Sequence, residues 1–273
     1  MGYGTDVARF RARLRAMVRG DGGTGRSVRG MRWEALVAGI AMAAVVGALL
    51  LVLPDGRAEE PAGKNASAQM AKKVETSISR KAESGGKAVN LTLDDGPDPR
   101  WTPKFLALLK ANGVKATFCM VGPNAQRNPE LVKRVVADGH RLCDHSMSHD
   151  VSMDRKPVAY QEKEILEAKR LIEDASGGAP VRYYRAPGGA FTPESRKIAA
   201  EAGMRPLGWN VDPKDFERPG VDKIVSNVKE QLAKGPTVLL HDGGGSREQS
   251  LAALERLIPW FKEQGYAFSF PEA

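Results

Sequence analysis

From residue 88 onward, short apolar runs alternate with longer segments in which apolar residues recur at helical spacing. The short runs predict buried strands, and the longer period predicts amphipathic helices. The clearest helix covers Tyr160–Ala175, whose apolar side chains share one face. Strands and helices in alternation predict a parallel α/β sheet, either open or closed into a barrel. The predicted strands are Val89–Leu93, Ala116–Val121, Arg141–Cys143, Arg182–Arg185, Pro206–Trp209, Thr237–His241 and Tyr266–Phe270.

The N-terminal part of the chain has a different pattern. Residues 35–53 are all apolar or glycine, without charge or proline. Such a run predicts a transmembrane helix, and the lack of a polar face disfavours a buried core helix. Residues 1–34 carry eight arginines against three acids, which predicts that they stay in the cytoplasm and that everything after the helix lies outside. We therefore expect a basic cytoplasmic segment over 1–34 and a signal-anchor in the lipid bilayer over 35–53.

Two interpretations of this anchor place the mature protein differently. Gly56-Arg57-Ala58 offers small residues at a spacing that suits a signal peptidase, so that cleavage would release a secreted protein. The long basic flank and the long apolar run favour an uncleaved anchor. We expect a single-pass protein of a bacterial cell membrane, with secretion as the alternative.

Residues 54–87 are rich in small and charged residues and poor in large apolar ones, which predicts a linker. Within this linker, residues 68–82 could form a short helical stalk. The folded α/β domain is therefore predicted to span residues 88–273.

The positive charge of the chain is concentrated at its beginning. The formal net charge is +8 and the isoelectric point is about 9.5, which would suit a nucleic-acid partner. Residues 1–90 hold 15 Lys and Arg against 8 Asp and Glu, a net +7, which leaves +1 for residues 91–273. A nearly neutral domain argues against nucleic-acid binding.

The chain has four histidines, and three of them follow predicted strands. His145 and His149 are four residues apart, so one turn of helix would place both imidazoles on one side, as a metal requires; two solvated histidines are the alternative. Asp94 and Asp95 end the first strand, where adjacent carboxylates need a cation or hydrogen bonds, although Asp-Gly-Pro is also a turn signal. Because parallel α/β folds build sites at strand carboxyl ends, we expect these groups and His241 to converge.

Five segments, in this order, resemble the motifs of the polysaccharide deacetylases, carbohydrate esterase family 4. They are 91–97, 145–149, 185–187, 212–216 and 239–241. The resemblance implies a distorted (β/α) barrel of seven or eight strands that removes acetyl groups from sugars. It also implies a hydrolase of carbon–nitrogen bonds other than peptide bonds.

The resemblance also implies a role for each matching catalytic residue. Asp94 would be the general base, and His241 would protonate the leaving group. Arg185 would orient Asp94, and Asp212 would tune His241. A divalent metal, zinc in the first instance and cobalt as the alternative, would be bound by Asp95, His145 and His149.

The substrate pocket follows from the same motifs. Leu239 would line the pocket for the acetyl methyl, and a backbone N–H near Gly188 would stabilise the oxyanion. Pro187 belongs to the same motif and is assigned to the pocket with it. Trp209 could contact the glycan, although it could equally be a packing residue.

Three positions depart from the family pattern. Gly188-Gly189 replaces an aromatic residue, Phe216 stands where tryptophan is usual, and Asp144 replaces asparagine before His145. The last change could bring an extra carboxylate near the metal. Because no catalytic group is lost, we still expect an active enzyme.

Cys119 and Cys143 end two consecutive strands that should be neighbours in the sheet. An extracytoplasmic compartment is oxidising, so we expect a disulfide, with two buried thiols as the alternative.

Three functions compete at this point. The first is a tethered deacetylase of peptidoglycan N-acetylglucosamine, and the second is a deacetylase of chitin oligosaccharides or acetylated xylan. The third is a non-catalytic carbohydrate-binding membrane protein, against which the complete residue set argues.

Overall fold

The computed structural model describes residues 74–273. The predictions for residues 1–34, for the transmembrane segment 35–53 and for the linker up to residue 73 lie outside the described residues. Within residues 74–273, none of the helices has the length and apolar character needed to cross a membrane.

Seven strands and seven helices alternate along the described chain, as the sequence predicts. The strands are β1 (Ala88–Asp94), β2 (Thr117–Met120), β3 (Arg141–Asp144), β4 (Val181–Tyr184), β5 (Arg205–Pro206), β6 (Thr237–His241) and β7 (Ala267–Phe268). The helices are α1 (Thr102–Asn112), α2 (Gly122–Arg127), α3 (Pro129–Ala137), α4 (Val158–Ser176), α5 (Pro193–Glu201), α6 (Val221–Gln231) and α7 (Glu248–Glu263).

All strand pairs are parallel, in the order β5-β4-β3-β2-β1-β6, and β7 pairs with the beginning of β1. The two edges of the sheet approach each other where Val211, after β5, forms a bridge with Val238 of β6. The fold is therefore a curled half-barrel of parallel strands, with helices outside. The number of strands agrees with the prediction. The predicted barrel is incomplete, because a single bridge and not a full strand pair joins the two edges of the sheet.

The two faces of each strand carry different chemistry because successive side chains point to opposite sides. On β1, the alternate residues Val89, Leu91 and Leu93 are buried in the main hydrophobic core. The residues between them are polar, and Asn90 donates a hydrogen bond to Thr237 of β6 across the inner face, with an N–O distance of 3.0 Å. The inner face of the half-barrel thus carries polar groups that lead up to Asp94.

A disulfide joins Cys119 and Cys143 on this inner face. The two residues are direct partners in the register of β2 and β3, and both are fully buried. With Tyr183 and Leu207 they form a small apolar cluster separate from the main core.

The structured domain begins before residue 88, contrary to the linker prediction for this part. Ser79 forms a parallel bridge with Leu207, and Ala82 forms a bridge with Pro271. Residues 74–82 contain no helix, so the predicted stalk is wrong there. Because backbone hydrogen bonds make these contacts, the segment needs few large apolar side chains, which is why its composition resembles a linker.

Candidate active site

A cavity of about 610 Å³ opens at the carboxyl ends of the strands. Asp94 and Asp95 reach it from the end of β1, His145 from the residue after β3, and His241 from the end of β6. The strand-end groups that the sequence singles out therefore do converge.

Three side chains form a candidate metal centre. The ligand atoms of Asp95, His145 and His149 all lie within 4.8 Å of one another. Asp95 Oδ1 is 3.2 Å from His149 Nε2 and 3.7 Å from His145 Nε2. The same oxygen is buried and has no hydrogen-bond partner. Two imidazoles and a carboxylate are the ligands of a typical catalytic zinc site, and the Asp95 oxygen is not engaged in a hydrogen bond. These three residues therefore fit a metal.

The state of His145 suits a metal ligand. Its Nδ1–H donates to the carbonyl of Arg185 at 2.8 Å, which leaves the lone pair of Nε2 directed at the cluster. Burial lowers the pKa of His145 to about 3. The ring is therefore neutral at any physiological pH.

The two histidines are brought together by a loop, so the predicted turn of helix is wrong. Residues 145–150 contain no helix, and Ser146 and His149 have left-handed φ angles of 67° and 54°. Asp144 Oδ1 accepts the Ser146 N–H at 2.7 Å, and Ser146 Oγ accepts the His149 N–H at 3.1 Å. Asp144 is thus a buried capping group for this loop. Burial raises the pKa of Asp144 well above its usual range.

Glu164 of α4 holds the same loop and was missed by the sequence analysis. Its Oε2 accepts the N–H groups of Met147 and Ser148, at 3.1 and 2.8 Å, and the Ser148 hydroxyl at 2.9 Å. Glu164 occupies a buried position of an amphipathic helix. A charged residue on the buried face of a helix needs a partner. This feature of the sequence could have identified Glu164.

Asp94 is held by a buried arginine. Arg185 Nη1 donates to Asp94 Oδ1 at 2.6 Å and to Thr92 Oγ1 at 2.9 Å, and the arginine side chain is fully buried. Burial raises the pKa of Asp94, against the opposing effect of the Arg185 charge. The second carboxylate oxygen lies 3.5 Å from His145 Nε2, so Asp94 borders the metal centre.

His241 is paired with Asp215, and the prediction that Asp212 tunes it is wrong. His241 Nδ1 is 2.7 Å from Asp215 Oδ1, and the His241 N–H donates to Asp215 Oδ2 at 3.0 Å. Burial lowers the pKa of His241, but the hydrogen bond and charge of Asp215 outweigh this effect and leave the pKa raised. Asp212 instead forms an ion pair with Lys214 at 2.6 Å on the cavity wall.

The pairing of His241 with Asp215, three residues after the predicted Asp212, has a local cause. Lys214 takes a left-handed conformation, and a 3₁₀ turn then begins at Asp215, which carries the second aspartate of the motif inward. Asp215 is fully buried, whereas Asp212 is partly exposed. The ring of the neighbouring Phe216 packs edge-on against His241, with 5.3 Å between the ring centroids.

The predicted pocket residues divide into two groups. Leu239, Gly188 and Trp209 line the cavity, whereas Pro187 is buried and does not line it. A Cβ atom at Gly189 would lie 3.1 Å from the Trp209 ring, so the glycine that departs from the family pattern makes room for this tryptophan. The sequence analysis missed Val151, an exposed apolar residue that also lines the cavity.

Comparisons with known proteins agree with this geometry. The family model described as polysaccharide deacetylase matches residues 81–207. The chain is 40% identical over 194 residues to a chitooligosaccharide deacetylase of Sinorhizobium fredii, covering 67% of this chain and 89% of that protein. It is 41% identical over 187 residues to a peptidoglycan-N-acetylglucosamine deacetylase of Bacillus cereus, covering 67% and 85%. A solved peptidoglycan N-acetylglucosamine deacetylase superposes with a TM-score of 0.65 at 32% identity, covering 70% of this chain and 89% of that one.

Proposed function

Because this chain belongs to the polysaccharide deacetylase family, we propose that it hydrolyses the acetamide of N-acetylglucosamine units in an extracytoplasmic glycan. One observation carries the proposal: a single cavity holds a carboxylate paired with a buried arginine, an Asp-His-His cluster that fits a metal, and a histidine paired with a carboxylate. The family resemblance and the class of enzyme, a deacetylase of carbon–nitrogen bonds, are confirmed by the matches.

In this proposal, the residues divide the proton transfers between them. A metal bound by Asp95, His145 and His149 would polarise the acetyl carbonyl and lower the pKa of water. Asp94, ionised and oriented by Arg185, accepts the proton of the attacking water. His241, charged through Asp215, donates its proton to the amine as the C–N bond breaks, which releases acetate and the free amino sugar.

Peptidoglycan is the substrate that we favour. The proposal draws on the similarity to the Bacillus cereus enzyme and on the predicted anchor over residues 35–53.

A second candidate substrate is a chitin oligosaccharide, which the similarity to the Sinorhizobium enzyme favours. This substrate would be the more natural one if the signal were cleaved and the enzyme secreted. The assay below therefore has three substrate arms: peptidoglycan, a chitin oligosaccharide and acetylated xylan.

Acetate release tests the reaction, with zinc added or chelated, in the wild type and in His145→Ala. We expect zinc-dependent release by the wild type and none by the variant. His140→Asn is the matched control, because His140 is buried away from the cavity and its Nδ1 accepts the Ala116 N–H, a role that an amide oxygen can take over. Equal release by wild type and His145→Ala would overturn the metal-dependent mechanism. No release with any metal would overturn the catalytic proposal and favour a non-catalytic binding protein.

The anchor is tested separately by sequencing the N-terminus of the mature protein from membrane and medium fractions. We propose that the intact N-terminus stays with the membrane. A mature chain that begins at Glu59 would refute the anchor and identify a cleaved signal.

A further inference from the structure

The conformation of Asp95 requires support from its surroundings. Its φ angle is 72°, a left-handed value that is unfavourable for a residue with a side chain. The Asp95 N–H donates to the Cys119 carbonyl at 3.2 Å, and Asn124 donates to the Asp95 carbonyl at 2.8 Å. These two bonds support Asp95 from the side of β2 and α2.

The other side is covered by the glycine loop, Gly243–Gly245, which follows β6. A Cβ at Gly243 would lie 2.3 Å from the Asp95 carbonyl oxygen, and a Cβ at Gly244 would lie 2.6 Å from Asp95 Oδ2. The glycine loop therefore packs directly on the backbone and on the carboxylate of Asp95. The Gly244 φ angle of 73° is a second reason why this position requires glycine.

Arg247 holds the glycine loop in place. Its Nε donates to the Gly243 carbonyl at 2.5 Å and its Nη2 to the Gly244 carbonyl at 2.9 Å. The side chain is 4% exposed and borders the cavity. Among residues 74–273, Arg247 forms no ion pair within 4.0 Å, so its buried charge is directed to these two carbonyls. Burying a guanidinium is costly, which makes a purely incidental placement unfavourable.

We propose that Arg247 is a positioning residue: it clamps the glycine loop, and the loop holds the Asp95 carboxylate in its metal-binding orientation. This inference rests on the proposed metal-dependent function and adds to it a residue outside the three proposed metal ligands. The inference predicts that the loss of Arg247 weakens metal binding by Asp95, His145 and His149.

The test compares Arg247→Gln with Arg256→Gln. Arg256 lies on α7, the helix that Arg247 directly precedes, and its exposed side chain pairs with Asp222 at the surface. Zinc affinity is measured by competition with a chromogenic chelator, and kcat and KM are measured at saturating zinc. We expect Arg247→Gln to bind zinc about tenfold more weakly, as for other residues that orient a ligand from behind, with kcat restored by excess zinc. Arg256→Gln should match the wild type.

Two further variants keep the inference testable if Arg247→Gln folds poorly. Arg247→Lys, which retains one donor, should fall between wild type and Arg247→Gln in zinc affinity. Gly244→Ala, which places a methyl against Asp95 Oδ2, should lower zinc affinity while Arg247 is intact. Wild-type zinc affinity in both Arg247→Gln and Gly244→Ala would overturn the inference. A wild-type protein that binds no zinc would instead contradict the proposed function.

Discussion

His145 and His241 are both buried at the carboxyl ends of strands that face one cavity, yet their pKa values move in opposite directions. Burial lowers the pKa of His145 to about 3, where its Nδ1 faces a backbone carbonyl. At His241, burial also lowers the pKa, but Asp215 faces Nδ1 and leaves the pKa raised. The group that faces Nδ1 therefore distinguishes a buried histidine whose pKa is lowered from one whose pKa is raised.

Asp94 lies between two sides of the cavity: the metal side, which holds His145, and the acid side, which holds His241. Its Oδ2 is 3.5 Å from His145, and its charge contributes to the raised pKa of His241. Arg185 fixes its other oxygen. The ionised Asp94 carboxylate therefore stabilises the protonated form of His241, and this stabilisation is lost once Asp94 has accepted a proton.

The largest expected effect comes from removing the acid itself. His241→Ala should lower kcat by about 10²- to 10⁴-fold, the usual contribution of a general acid, and should leave zinc content unchanged. His145→Ala should lose zinc as well as activity. Metal analysis after dialysis, together with acetate release, separates the two variants. Loss of zinc from His241→Ala would show that the two sides of the cavity are not distinct.

A smaller effect is expected from Asp215→Asn. The carboxylate of Asp215 has the largest of the effects that raise the pKa of His241, so its loss should lower that pKa. The basic limb of the pH profile of kcat/KM, where the acid loses its proton, should then move to lower pH, with a loss of about tenfold at pH 7.

Asp212→Asn is the matched control for this change. Asp212 lines the same cavity and belongs to the same motif, but its carboxylate pairs with Lys214. The basic limb should stay in place in Asp212→Asn. A shift in Asp212→Asn and none in Asp215→Asn would restore the assignment made from the sequence.

The sequence predicts the strand ends and the groups on them, because hydrophobic alternation and parallel connections bring these positions to one edge. The choice between Asp212 and Asp215 depends on the left-handed backbone at Lys214, for which the residue pattern gives no signal. Glu164 is distant in sequence from the loop that it holds. Residues 74–87 join the sheet through backbone hydrogen bonds. Because these bonds do not depend on the side chains, the segment shows no periodic pattern of hydrophobic residues from which a strand could be predicted.

The disulfide should affect the metal side more than the acid side. The Cys119 carbonyl accepts the Asp95 N–H, whereas His241 is held by the Asp215 carboxylate, which also accepts a hydrogen bond from the Ser250 hydroxyl. The double change Cys119→Ser and Cys143→Ser should cost about 2–4 kcal/mol of unfolding free energy, as for other disulfides that close a chain loop. It should also weaken zinc binding while leaving the basic limb of the pH profile in place.

Urea unfolding and zinc competition measure the two effects of this double change. A thiol assay on the denatured, unreduced wild type is the control. Two free thiols in that assay would contradict the bond, and an unchanged zinc affinity in the double variant would contradict its link to the metal side.

The smallest effect is expected from Phe216→Ala. Phe216 is 41% exposed and lines the cavity, and its ring meets His241 edge-on at 5.3 Å. Losing this contact should raise KM by about 2- to 10-fold, which corresponds to about 0.5–1.5 kcal/mol for an aromatic contact. The basic limb should not move, because the ring carries no charge that could replace Asp215. A downward shift of that limb equal to the shift in Asp215→Asn would show that ring packing, and not the carboxylate, keeps the pKa of His241 raised.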